Sequence, residues 1–250
     1  MTQRFDLHTS TAVGVQLRPR WWPAWAGLAL ATALIALYTP RATAAPGDAY
    51  VYRVVNAYNK ETVGHVRQEL TSATTAQGQV LSVSVDNAAL GVARTEMYTP
   101  DGRWLRRPLD NHGMPVEYDF SAALPAVQPS LAPGQSWSLR VAARVPGEDK
   151  NRSVRVDGRI LGNERIRVPA GEFDTVKIQR AIYAGDADYF ISETRIYETD
   201  WYAPALGRSV RTETSSTWRD TRSGCRRWEP CDFRGDWHVI ELAEINAAAK

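Results

Sequence analysis

Glu193, Glu198 and Asp200 are the residue types that a hydrolase pairs as general acid and base. In a regular strand successive side chains point to opposite faces, so Glu198 and Asp200 share one face and Glu193 lies on the other. Carboxylates in such a pattern are commonest on a water-facing strand, so a solvated face is expected and no catalytic residue is assigned. A hydrolase with an unrecognised carboxylate site stays open as an alternative. Gly207-Arg208-Ser209-Val210-Arg211 lacks the second glycine of a nucleophile elbow. His65, His112 and His238 are far apart in sequence, so no metal site is expected. Asp186 and Asp188 flank Ala187 beside Gly185, too few oxygen ligands for a calcium loop, and read as a polar hairpin tip. No cofactor is implied, because the glycine fingerprint of a dinucleotide site is missing.

Two cysteines, Cys225 and Cys231, enclose five residues. In an exported chain a lone pair this close reads as a disulfide. So small a loop contributes about 2 kcal/mol at most, which pins a loop rather than the fold. Trp218, Trp228 and Trp237 surround it, with Arg226 and Arg227 inside it. This is a possible contact surface for a protein or a glycan, where Trp and Arg serve as anchors. The competing reading is a loop knit by Arg–carboxylate pairs and stacked rings.

The first 44 residues indicate an address. Arg18 and Arg20 precede an apolar run from Trp21 to Tyr38, and Ala42-Thr43-Ala44 then precedes Ala45. Positive charge, apolar core and an A-x-A site form a secretory signal peptide, with cleavage between Ala44 and Ala45. The alternative is a retained N-terminal anchor in the inner membrane, at the short limit of a spanning helix. Residues 1–44 are therefore read as leader and 45–250 as one β-domain, periplasmic or secreted. The leader carries four arginines against one aspartate, a net of +3, whereas the whole chain is +2, so the remainder is about −1. A near-neutral domain has no electrostatic case for nucleic acid.

Period-2 alternation governs the rest. Trp137, Leu139, Val141, Ala143 and Val145 alternate with polar or small residues, as do Val154, Val156 and Ile160, and Leu81, Val83 and Val85. Val176, Ile178 and Ile182 share one face, and Tyr50, Tyr52, Val54 and Tyr58 line another strand. Turn signals such as Pro100-Asp101-Gly102, Asn111-His112-Gly113 and Pro146-Gly147 separate the runs. The expected fold is all-β, a single antiparallel and strongly curved sheet closing as a barrel, half-barrel or sandwich. The Ala- and Pro-rich stretch 122–134 reads as a connection, and Trp237 to Ile245 as a last strand.

Val168-Pro169-Ala170-Gly171-Glu172-Phe173 followed by Trp201-Tyr202-Ala203-Pro204-Ala205-Leu206-Gly207 resembles a loose group of bacterial envelope proteins, the TapB-like and related domains of unknown function. The similarity covers residues 135–217. It implies a curved antiparallel sheet in the cell envelope and no general enzymatic activity. Physically, Pro169 and Gly171 bend the chain and Phe173 re-enters the core. Pro204 then removes a ladder donor, and Gly207 supplies a positive φ between strands. Trp201 and Tyr202 read as scaffold. The leading functional reading is a non-catalytic envelope protein holding a lipid or apolar small molecule between Tyr50, Tyr52, Val54, Trp137, Leu139 and Val141. An envelope protein partner is the second reading, and the oligomeric state is left open.

Overall fold

The computed structural model describes residues 47–75, 78–87, 92–99, 102–127, 131–222 and 231–246. The leader with its Ala44–Ala45 junction, and Cys225, Arg226, Arg227 and Trp228, lie outside the described residues. Among the described residues thirteen strands follow one another: β1 (Ala49–Asn56), β2 (Thr62–Thr75), β3 (Gly78–Asn87), β4 (Val92–Tyr98), β5 (Trp104–Asn111), β6 (Met114–Leu124), β7 (Ser136–Arg144), β8 (Arg152–Val168), β9 (Gly171–Tyr183), β10 (Arg195–Ala203), β11 (Arg208–Asp220), β12 (Cys231–Arg234) and β13 (His238–Asn246).

From β1 to β12 each strand pairs antiparallel with the next along the chain, and β13 returns to lie between β1 and β11. Because β10 also pairs with β11, the pairings run round and return on themselves in one strongly curved antiparallel sheet. Two seams are narrow. Only two residue pairs join β4 to β5 and two join β6 to β7. One edge of β11 is shared, with Arg211–Thr214 on β13 and Thr217–Asp220 on β12.

The alternation read from the sequence selects the inner face. Val154, Val156 and Ile160 of β8 and Ile178 and Ile182 of β9 are fully buried. Tyr50, Tyr52 and Val54 are buried along β1, but Tyr58 is 56 % exposed. The strand ends at Asn56, where the Asn56 carbonyl accepts from Lys60 N in a tight turn, so the period is lost before Tyr58. Leu139 is 39 % exposed, because β6 covers only the Ala143–Arg144 end of β7. The 122–134 stretch is more than a surface connection. Leu124 and Ala126 are buried, and Val127 and Leu131 pack with Trp137 against Ile160, Val176, Ile178 and Tyr202.

One row of paired positions positions the interior chemistry: Trp137, Gly158, Arg180, Glu198 and Thr214, on β7 to β11 in turn. Gly158 is required because a Cβ there would lie 2.1 Å from the Trp137 ring. A Gly158→Ala variant is expected to lose about 1 to 3 kcal/mol through overpacking, measured as a lower urea midpoint at unchanged slope. Adding Trp137→Leu should recover part of that loss, and an additive double variant would contradict the contact.

Candidate functional site

The carboxylates of β10 are the first surprise. Glu198 and Asp200 do share a face, as strand geometry requires, but that face is the interior and both are buried. The Arg180 guanidinium lies between them. It donates to Glu198 Oε2 from Nε and Nη2 at 3.3 Å each, to Asp200 Oδ2, and from Nη1 to the Ala126 carbonyl at 2.6 Å. Arg107 of β5 reaches the other Glu198 oxygen at 2.8 Å. Thr212 Oγ1 donates to Asp200 Oδ1 at 2.5 Å. The Trp104 ring supports both cations, with the Arg107 and Arg180 guanidinium carbons 4.1 and 5.2 Å from its centroid. Nearby, Tyr98 donates to buried Glu96, and burial together with the Glu96 charge pushes the phenol well above its ordinary pKa.

Burial alone would raise the Glu198 pKa. The Arg107 and Arg180 charges outweigh it and hold the carboxyl below its ordinary value. Glu198 is thus held as an anion between Arg107 and Arg180, and Asp200 pairs with the same Arg180, which is the arrangement of a structural clamp. Glu193 takes no part: its Oε1 accepts from Gly185 N at 3.0 Å.

A depressed carboxylate stabilises the fold above its ordinary pKa, and that contribution is lost as pH falls through the lowered value. Glu198→Gln is expected to cost about 3 to 5 kcal/mol, the penalty for leaving a buried cation unpaired, and to flatten the acid limb of the stability–pH curve. Urea midpoints between pH 3 and 7 measure both, and an unchanged acid limb would remove Glu198 from the account.

The second constellation lies where the β5–β6 turn, the 184–194 loop and the start of β12 meet. His112 occupies the left-handed region, with φ of 51°. Its backbone N donates to Thr194 Oγ1 at 3.1 Å, and its Nε2 lies 3.2 Å from the Ser192 carbonyl. Asp186 is not a solvated tip. It is buried and accepts from Thr194 N and Oγ1 at 2.7 and 2.6 Å, whereas Asp188 is exposed. Ser192 N donates to the Arg219 carbonyl and Thr221 N to the Phe190 carbonyl, which ties this loop to the end of β11. Trp218 stacks on Phe233 with centroids 5.7 Å apart and planes at 8°, and His112 meets its edge at 5.9 Å.

Large apolar side chains emerge here. Tyr189 is 88 % and Phe190 48 % exposed, and they contact each other edge-on. Met114 and Phe233 are also exposed. Arg219–Asp232 and Arg222–Asp220 ion pairs flank them at 2.8 and 2.6 Å. Of the three tryptophans named from the sequence, Trp218 belongs to this patch. Trp237 packs edge-on against Tyr58 and donates to Glu213 Oε1 at 2.9 Å, apart from Trp218. Cys231 opens β12, and Cys225 lies outside the described residues.

The two motifs join strands. Pro169 and Gly171 form the β8–β9 turn, where Ala170 N donates to the Leu242 carbonyl at 3.0 Å and Phe173 packs against the core cluster that holds Tyr52, Trp201 and Leu242. Pro204 and Gly207 form the β10–β11 turn, with Gly207 at φ 65°. Trp201 donates to Glu164 Oε2 at 3.0 Å and is flanked by Lys177 and Arg211. Tyr202 is buried. The residues named as a ligand lining fall into different clusters: Tyr50, Tyr52 and Val54 in one, Val141 against another, Trp137 against a third. Moreover, the Arg208 guanidinium lies 3.6 Å above Tyr50. Among the described residues no group of three or more His, Cys, Asp or Glu could hold a metal ion, and no helix is long and apolar enough to cross a membrane.

No family model matches the chain, and no curated protein matches it. Solved structures do. A candidate lipoprotein from Parabacteroides distasonis covers 81% of this chain and 96% of its own, at 13% identity and a TM-score of 0.43. A candidate exported protein with a YmcC-like fold from Bacteroides fragilis covers 82% and 97%, at 13% identity and 0.43. The hypothetical lipoprotein YmcC from Escherichia coli covers 86% and 94%, at 10% identity and 0.32. None of these descriptions names an activity or a TapB-like relationship, and scores of this size carry no argument about function.

Proposed function

We propose that the mature chain is a non-catalytic binding domain of the bacterial envelope that engages a partner protein through its aromatic end. The observation that carries this reading is the exposure of Tyr189 and Phe190 beside the stacked Trp218–Phe233 pair. Contiguous exposed apolar surface rimmed by charged residues is the usual signature of a contact site. Aromatic anchors on a rigid base supply most of the free energy of such contacts. Here the base is rigid because His112, Ser192 and Thr221 bond the contributing segments to one another. The leader supports the envelope address. A Cys225–Cys231 disulfide would close a five-residue loop at the first residue of β12. The apolar-carrier reading has less support, since its named residues pack into separate clusters.

A photoreactive phenylalanine at position 189, in cells of the source bacterium, is expected to capture a protein adduct. The same group at exposed Arg67 on β2 should not. Trp218→Ala or Phe233→Ala should lower the affinity for the captured protein ten- to hundredfold, the range of an anchor residue. Lipid adducts alone, or equal capture at position 67, would overturn the reading. Intact mass of the exported product should begin at Ala45 and fall by two hydrogens relative to the reduced form.

A further inference from the structure

The outer face of β7 to β12 carries charge that neither the interior nor the aromatic end uses. Paired positions place Arg140, Arg155, Tyr183, Arg195, Thr217 and Arg234 in one row across six adjacent strands. Neighbouring strands lie about 4.8 Å apart, so successive arginines of the row are spaced by about 5 or 10 Å. Arg140 and Arg155 stand directly opposite each other, a like-charge pairing that costs the sheet stability. Among the described residues no carboxylate pairs with Arg140, Arg195 or Arg234. Arg155 Nε lies 3.3 Å from Asp157 Oδ2 but makes no hydrogen bond, and its guanidinium carbon sits 3.8 Å above the Tyr183 ring.

Beside this row the face is recessed into a shallow groove of about 570 Å3. The next row places Ser138, Asp157, Ala181 and Tyr197 side by side, and small Ala181 leaves the floor open between Asp157 and Tyr197. Tyr197 is 46 % exposed and lines the groove. Arg159 and Gln179 add a guanidinium and an amide on the other side of the floor.

We infer that this groove binds a carboxylate-bearing oligosaccharide. Guanidinium forks match carboxylates bidentately. The Gln179 amide and the remaining lone pairs of Ser138, whose Oγ donates to Asp157 Oδ1 at 2.6 Å, supply partners for sugar hydroxyls, and the Tyr197 ring offers an apolar platform for a sugar face. The recess argues against a bilayer surface: a flat headgroup plane meets the rims of a groove and leaves its floor empty. Arg140 and Arg195, which no described carboxylate pairs with, supply the charge complementarity beside Arg155, and a neutral sugar would leave them unused.

The test titrates the purified mature domain with oligogalacturonate, dextran oligomers and phosphatidylglycerol vesicles by calorimetry, at low and at physiological salt. Oligogalacturonate is expected to bind and to weaken with salt, and dextran to bind at least tenfold more weakly. Arg155→Glu with Arg195→Glu should lower the affinity at least tenfold, and so should Tyr197→Ala. Arg67→Glu, exposed on β2, should change it less than twofold. Arg195→Gln is the milder variant, with a severalfold loss, should the double variant melt early. Absence of oligogalacturonate binding, equal binding of dextran, indifference to these substitutions, or binding of vesicles alone would each overturn the assignment. None of these outcomes bears on the aromatic end, whose residues the variants leave intact.

Discussion

The buried guanidinium of Arg180 is the contact on which the rest of this interior depends. It bonds Glu198 and Asp200 on the neighbouring strand and the Ala126 carbonyl in the segment that fills the interior. Arg107 meets the same Glu198 from β5, far from β10 in the order of pairing. One carboxylate therefore connects two parts of the sheet that share no backbone ladder. Such a cluster gains little net free energy over apolar residues of the same volume. What it supplies is discrimination. A one-residue slip of β10 against β9 would move Glu198 and Asp200 to the outside and leave Arg180 buried without an anion. The two narrow seams, at β4–β5 and β6–β7, are where the ladder itself gives least guidance. Arg107 follows the first of them, and the Ala126 carbonyl follows the last residue of β6.

Much of this architecture was legible from period-2 alternation, since a sheet with one wet face prints its parity on the sequence. Glu198 and Asp200 were placed on one face correctly and on the wrong side. The missing signal was available. Val176, Ile178 and Ile182 mark the inner parity of β9, and between Val176 and Ile182 Arg180 is the one member of that parity that is not apolar. On β10 the inner parity of Ile196 and Tyr202 holds Glu198 and Asp200. A cation breaking the apolar face of one strand, and anions breaking the apolar face of the next, point to a buried pair, because an unpaired charge could not stay there. Arg107 carried no comparable mark, because its contact spans 91 positions.

Other features were beyond reach for physical reasons. Tyr58 keeps the parity of β1, but a hydrogen-bonded turn ends the strand two residues earlier, and turn closure depends on the partner strand. The 122–134 stretch has the composition of a surface connection. Leu124 and Ala126 within it are buried, and the Ala126 carbonyl accepts from Arg180, 54 positions away, a contact that local composition does not encode. Asp186 has the neighbours of a solvated tip, yet it turns inward because Thr194 offers it two donors.

The two faces of the same strands are asymmetric in charge. Inside, the Arg180 pairs oppose every cation with an anion. Outside, along the row through Arg140, Arg155 and Arg195, the partners among the described residues are one carboxylate, Asp157, beside Arg155, the Ser153 hydroxyl on Arg140 and the Tyr183 ring. Folding cannot account for that difference, because exposed arginines contribute little to stability and opposed ones subtract from it. Nor does solubility require it, since an alternating pattern of both signs would serve as well. A cost that the fold does not need and the solvent does not demand is best explained by a ligand that neutralises it. With the ligand inferred above, the interior cluster and the outer row become one design problem solved twice, with the anions built into the chain in one case and supplied by that ligand in the other.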